Sequence, residues 1–105
     1  MKHSICINQN DYGITLKFVC RDEAGRPIDL SGFSVDFYIY DGGEAINAGH
    51  TACAVVDAPM GEAQYEIAAQ DAQTPGLYQG KLRLSHATTE VKNLGVIPFC
   101  VQAVY

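Results

Sequence analysis

Apolar and polar residues alternate in short bursts along this chain, and turn-forming residues separate the bursts. The clearest burst is Phe33 to Tyr40, in which Phe33, Val35, Phe37 and Ile39 fall on one face and Ser34, Asp36, Tyr38 and Tyr40 on the other. Tyr12 to Arg21 alternates in the same way, with Ile14, Leu16, Phe18 and Cys20 in phase. Ala52 to Asp57 and Ala63 to Ala68 flank Ala58-Pro59-Met60-Gly61, which predicts a hairpin whose second strand turns Ala63, Tyr65 and Ile67 inward. In Leu77 to Ser85 the residues Tyr78, Gly80, Leu82 and Leu84 share a face. Val91 to Tyr105 reads as one or two strands divided near Pro98, with Phe99, Val101 and Ala103 inward.

Between these bursts Asp22 to Pro27, Asp41 to Glu44 and Pro75-Gly76 supply turn chemistry. Ala45 to Thr51 reads as a loop or short edge strand, and Ala68 to Thr74 as a connecting turn rather than a helix. With Ser4 to Gln9 this makes roughly seven or eight strands whose apolar faces are too many for one open sheet. The expectation is an all-β, immunoglobulin-like antiparallel β-sandwich forming one domain over residues 1–105, with a small closed barrel as competitor. Its expected core is Ile14, Leu16, Phe18, Val35, Phe37, Ile39, Tyr65, Ile67, Tyr78, Leu82, Leu84, Phe99 and Val101.

Composition narrows the function classes. At 48% hydrophobic and 18% charged residues the chain is that of an ordinary globular protein. A formal charge of -5, with seven Lys and Arg scattered along the chain, argues against nucleic acid or an anionic membrane as partner. No stretch approaches the about 18 consecutive apolar residues of a membrane-crossing helix. The N-terminus reaches polar Asn8 to Asp11 before any apolar run, which is not a secretory leader and favours a cytoplasmic origin. The four cysteines, Cys6, Cys20, Cys53 and Cys100, form no C-x-x-C pair and are expected as free thiols; were one bridge to form, Cys20 to Cys100 is the pairing to expect.

Candidate chemistry is sparse. His3, His50 and His86 lack the spacing that places two imidazoles together, and no serine lies in a nucleophile elbow. Asp22, Glu23, Asp29, Asp36 and Asp41 lack calcium-loop spacing and read as turn caps and solvated acids. No catalytic, cofactor or metal site is assigned, and the reading is of a protein that is not an enzyme. The feature left over is the pair Tyr38 and Tyr40 beside Asp36, on the strand face opposite the core. Either this is a partner surface, or the tyrosines pack under the Asp41 to Thr51 loop with wet hydroxyls. Tyr78, just after Pro75-Gly76-Leu77, reads as a corner tyrosine bonding back to nearby backbone.

The run Phe18-Val19-Cys20-Arg21-Asp22-Glu23-Ala24-Gly25-Arg26-Pro27-Ile28-Asp29-Leu30-Ser31-Gly32-Phe33-Ser34-Val35 resembles the start of the N-terminal domain of phage upper-baseplate proteins. Asp57 to Gly61 followed by Tyr65, and Pro75-Gly76-Leu77-Tyr78, resemble that family's later turn and strand starts. The likeness covers Gln9 to Val104. It implies an immunoglobulin-like fold and a phage or prophage tail structural protein that acts by protein–protein docking. Its partners would be other tail or baseplate proteins or further copies of the chain, and its locations the bacterial cytoplasm during assembly and then the virion. In that family a longer receptor-binding region follows, whereas this chain stops at Tyr105, so an accessory rather than a bridging role is expected. The alternative is an extracellular immunoglobulin-like binding module for a carbohydrate or an adhesion partner. Docking is expected through strand Phe33 to Tyr40 or the C-terminal strand, by an open edge or an aromatic face.

Overall fold

The computed structural model describes residues 5–10, 13–86 and 90–103, at 69–70 and 90–93 through the backbone. Eight strands are found among them: β1 (Ile5–Asn8), β2 (Thr15–Val19), β3 (Phe33–Asp41), β4 (Glu44–Ala45), β5 (Ala54–Asp57), β6 (Glu62–Glu66), β7 (Gly76–His86) and β8 (Glu90–Gln102). A single turn of 3-10 helix, Ala69–Ala72, connects β6 to β7 where a connecting turn was expected.

Two sheets face each other, one in the order β1-β8-β7-β3-β4 and the other β2-β6-β5. The fold is the expected immunoglobulin-like β-sandwich. All described pairs are antiparallel except β1, which lies parallel to β8 with Cys6 opposite Cys100.

Alternation drives the packing. Along β3 the side chains of Val35, Phe37 and Ile39 are buried, and along β7 those of Tyr78, Leu82 and Leu84. From the facing sheet Phe18, Ala63, Tyr65 and Ile67 meet them. Tyr78 closes its corner by donating to the Thr74 carbonyl, as its position after Pro75-Gly76 predicts. The predicted hairpin is β5–β6, and its turn ends at Gly61 with φ +72°. A side chain there would meet the carbonyls of Cys20 and Ile28 at 2.5 and 2.9 Å, so only glycine allows the turn to sit this close to the end of β2.

Two residues of the expected core need correcting, and Ala103, expected to face inward, is exposed just beyond the end of β8. Ile14 is 37% exposed, because β2 begins only at Thr15 and the preceding Gly13, at φ +76°, turns the backbone out of strand phase. Leu16 is half-buried, because it sits on an outer strand of the smaller sheet. In addition, β8 runs unbroken through Pro98 rather than dividing there. Pairing with β1 begins one residue later, at Ile5↔Phe99, so the proline lies outside that ladder.

The cysteine expectation also fails in part. Cys6 and Cys100 form a disulfide, whereas Cys20 and Cys53 are free. Sequence spacing carries no information about the parallel register that brings residues 6 and 100 side by side. The Cys20–Cys100 pairing does not form, because Cys100 is bonded to Cys6 across the β1–β8 ladder, and Cys20 stays a free thiol buried in the core. Burial raises the pKa of the Cys20 thiol, and burial together with the Asp36 charge pushes that of Cys53 up to about 12. Unfolded, unreduced protein should therefore expose two reactive thiols to a titrating reagent, and native protein at pH 8 none that reacts quickly. Four reactive thiols on unfolding would remove the disulfide.

Candidate functional site

The outward face of the five-stranded sheet carries the aromatic pair singled out from the sequence. Because β3 buries Val35, Phe37 and Ile39, its even-numbered neighbours Asp36, Tyr38 and Tyr40 project to the other side, all three half-buried. The two tyrosine rings stack with centroids 6.0 Å apart and planes inclined by 26°. Lys81, cross-strand partner of Tyr38, places its Nζ 5.1 Å from the centre of the Tyr40 ring, a cation–π distance. Such a platform offers two flat rings whose side-chain freedom is already restricted, which lowers the entropic cost of docking on it. Asp36 behaves differently: its carboxylate accepts from the Thr51 hydroxyl at 3.0 Å and so faces the neighbouring loop.

Beyond Tyr40 the same face continues as an apolar shelf. Leu77 is 88% exposed, Val96 is 40% exposed, and Pro98 and the Cys6–Cys100 disulfide flank them. A shallow depression of about 470 Å³ between Tyr40, Leu77, Val96 and Pro98 joins the shelf to the tyrosines. Leu77 was not selected from the sequence, although its place next to inward Tyr78 marked it as outward. An exposed leucine on a strand is commonplace, and only the three-dimensional clustering makes it notable.

The strand edges differ from expectation. β3 is no open edge, since it lies between β7 and β4, whereas β8 is covered by β1 only from Phe99 to Gln102 and before Phe99 pairs, among the described strands, with β7 alone. Where β4 is too short to cover β3, the loop after it does so. Phe37 N–H donates to the Thr51 carbonyl, Ile39 N–H to Asn47 Oδ1, and Cys53 N–H to the Val35 carbonyl.

That loop hides a polar cluster that the sequence did not reveal. Asn47 is fully buried, and its amide donates to the Phe37 carbonyl at 2.8 Å and to the Tyr65 hydroxyl at 3.1 Å. Tyr65 in turn donates to Asp71 Oδ2 at 2.6 Å, and the same oxygen accepts the Ala68 N–H at 2.9 Å. Burial and the adjoining Asp71 carboxylate raise the Tyr65 hydroxyl well above the usual phenol range. These bonds hold the loop to the core, and among the described residues Asp71 Oδ1 is a buried polar atom with no hydrogen-bond partner. A lone Asn and a lone Asp in loops gave no periodic signal by which to find them.

The remaining candidates stand apart. His50 lies against Tyr65, with ring centroids 5.7 Å apart, and His86 against Phe33 at 5.0 Å; His3 falls outside the described residues. Asp22 accepts the backbone N–H groups of Ala24 and Arg26, which together with the Arg26 charge lower its pKa, and Asp29 accepts from Ser31. These two are turn caps, as their residue type and setting predict. Among the described residues no three His, Cys, Asp or Glu side chains cluster in a way that would hold a metal ion.

No protein-family model matches the chain, and no curated protein matches it. Among solved structures, the N-terminal domain of phage TP901-1 ORF48 superimposes with a TM-score of 0.67 at 12% identity, over 97% of this chain and 89% of that one. The chain has the fold of a phage protein domain. The resemblance read from Phe18 to Val35 and from Pro75 to Tyr78 is thereby borne out in the fold.

Proposed function

We propose that the chain is a phage or prophage tail or baseplate-type structural protein that works by docking to other virion proteins. The observation that carries this reading is the shared fold along nearly the whole chain with a phage protein's N-terminal domain. The exposed face supports it, because a stacked tyrosine pair beside an 88% exposed leucine suits a protein contact. On this reading the contact is centred on Tyr38 and Tyr40, with Asp36 at its margin, and the chain catalyses no reaction and carries no cofactor.

The test is incorporation. Tagged chain co-expressed with the tail genes flanking its own should be recovered in gradient-purified particles. A chain left wholly in the soluble fraction would overturn the reading. The double variant Tyr38→Ser/Tyr40→Ser should lower incorporation about tenfold or more, the loss of one hot spot. Its melting temperature should stay close to that of the wild type, because neither ring lies in the core. Unchanged incorporation would move the contact elsewhere.

The Cys6–Cys100 disulfide favours a second reading, an extracellular binding module, since such bonds persist in oxidising compartments. A released virion meets that condition too. Glycan capture on an array by a chain that never enters particles would decide for the module.

A further inference from the structure

The sandwich is closed along one side and open along the other. On the closed side the segment before β5 bonds directly to β3, through Phe37 N–H to the Thr51 carbonyl, Cys53 N–H to the Val35 carbonyl and a bridge between Asp36 and Ala52. On the opposite side β2 is the last strand of a three-stranded sheet that faces one of five strands. Three strands cannot cover five, so a groove of about 460 Å³ remains between β2 and the middle of β8. Its floor is Phe18, Leu82, Leu94 and Ile97, and Lys17 and Arg21 stand at its rim.

The backbone of β2 defines what fits there. Cys20 N–H donates to the Gly61 carbonyl, and Ile67 N–H to the Ile14 carbonyl, so the even-numbered residues of β2 bond towards β6. By the period of two, Thr15, Lys17 and Val19 turn their N–H and C=O groups away from β6, where no described strand takes them up. An unpaired edge beside an apolar cleft is the geometry that an added strand completes.

We propose that this seam binds an extended segment of another protein, added as a fourth strand beside β2. Its alternate residues are apolar and fill the groove over Leu82, Leu94 and Ile97. Its intervening residues lie on the outer face next to Lys17 and Arg21, and at least one of them is Asp or Glu. Among the described residues neither Lys17 nor Arg21 makes an ion pair; Arg21 donates one guanidinium N–H to the Gly25 carbonyl at 3.0 Å, and both positive charges are left without an acidic partner in a chain that is otherwise acidic. A second copy docking β2 to β2 does not meet these requirements. It would set the Lys17 and Arg21 of one molecule against those of the other, and it would leave both grooves empty, since Phe18 already points into its own core. The proposal rests on the docking reading only in that the occupant is a protein.

Short random peptides, displayed and selected on the wild-type chain, provide the probe. Val19→Pro removes an N–H that faces the seam and leaves the β6 ladder intact, so the variant should fold, as a melting curve checks. Lys17→Glu serves as a second variant that alters no backbone group. Recovered peptides should alternate apolar and polar residues, with Asp or Glu among the polar ones. They should bind wild type about tenfold or more tightly than either variant. On binding, the amides of Thr15, Lys17 and Val19 should exchange hydrogen more slowly. Recovery of no peptide, peptides lacking the alternation, or equal binding by Val19→Pro would overturn the proposal. So would a dimer in sedimentation that Val19→Pro dissolves, which would assign the seam to a second copy. Incorporation into particles with an empty seam would sink this proposal alone, and peptide capture without incorporation would sink only the virion reading.

Discussion

Replacing Phe37 with alanine should destabilise the protein by about 3–5 kcal/mol, the range for a large buried aromatic. Phe37 is 0% exposed and stands where the two sheets meet. Its ring lies 5.0 Å from that of Phe18 and 5.2 Å from that of Tyr65 on the facing sheet, and 6.3 Å from that of Phe99 on its own. The space for it comes from Gly80 on the adjacent strand, where a Cβ would approach the Phe37 ring to 2.6 Å. Glycine on β7 and phenylalanine on β3 are therefore one packing unit, and removing the ring leaves a void that the glycine cannot fill. Denaturant unfolding at equilibrium measures the loss. A cost below about 1 kcal/mol would contradict the central position of this ring.

Breaking the Cys6–Cys100 bond should have the other large effect. The bond closes a loop with a sequence separation of 94, and closing a loop of that length restricts the unfolded chain by about 4–5 kcal/mol in the entropy treatment. Measured losses of native disulfides from small domains run about 2–5 kcal/mol. The double variant Cys6→Ser/Cys100→Ser should fall in that range, and a reducing agent should lower the wild type to the same level while leaving the variant unaffected. Equal stability of wild type with and without reductant would show that the bond contributes nothing. In the variant the four-residue β1 is held by its pairing to β8 and by one buried side chain, Ile7, so its amides should be the first to lose protection.

Much of the fold was legible because burial here follows strict alternation. Val35, Phe37 and Ile39, and likewise Tyr78, Leu82 and Leu84, could be placed from period two alone, and the Pro75-Gly76 turn announced the corner tyrosine. Long-range pairing was not legible. Nothing within Ile5 to Asn8 says that it runs parallel to a strand more than ninety residues later, so the disulfide was missed, and so was the open edge of β2. The aromatic pair on β3 was visible because alternation exposes it. Leu77 and the seam beside β2 were not, since each depends on which strands become neighbours. Asn47 and Asp71 were hidden for a related reason: a polar residue in a loop reads as solvated until a strand edge is found above it.

The position of the disulfide also affects how the chain would carry a load. Cys6 and Cys100 lie near the two ends of the described chain and on adjacent strands. A pull applied across residues 5 and 101 would travel through one short covalent path between the strands, bypassing everything enclosed. The core and the polar cluster around Asn47 would bear no tension. Such a unit would pass force along an assembly without unfolding for as long as the bond stays oxidised, and under reduction it would stretch by unravelling.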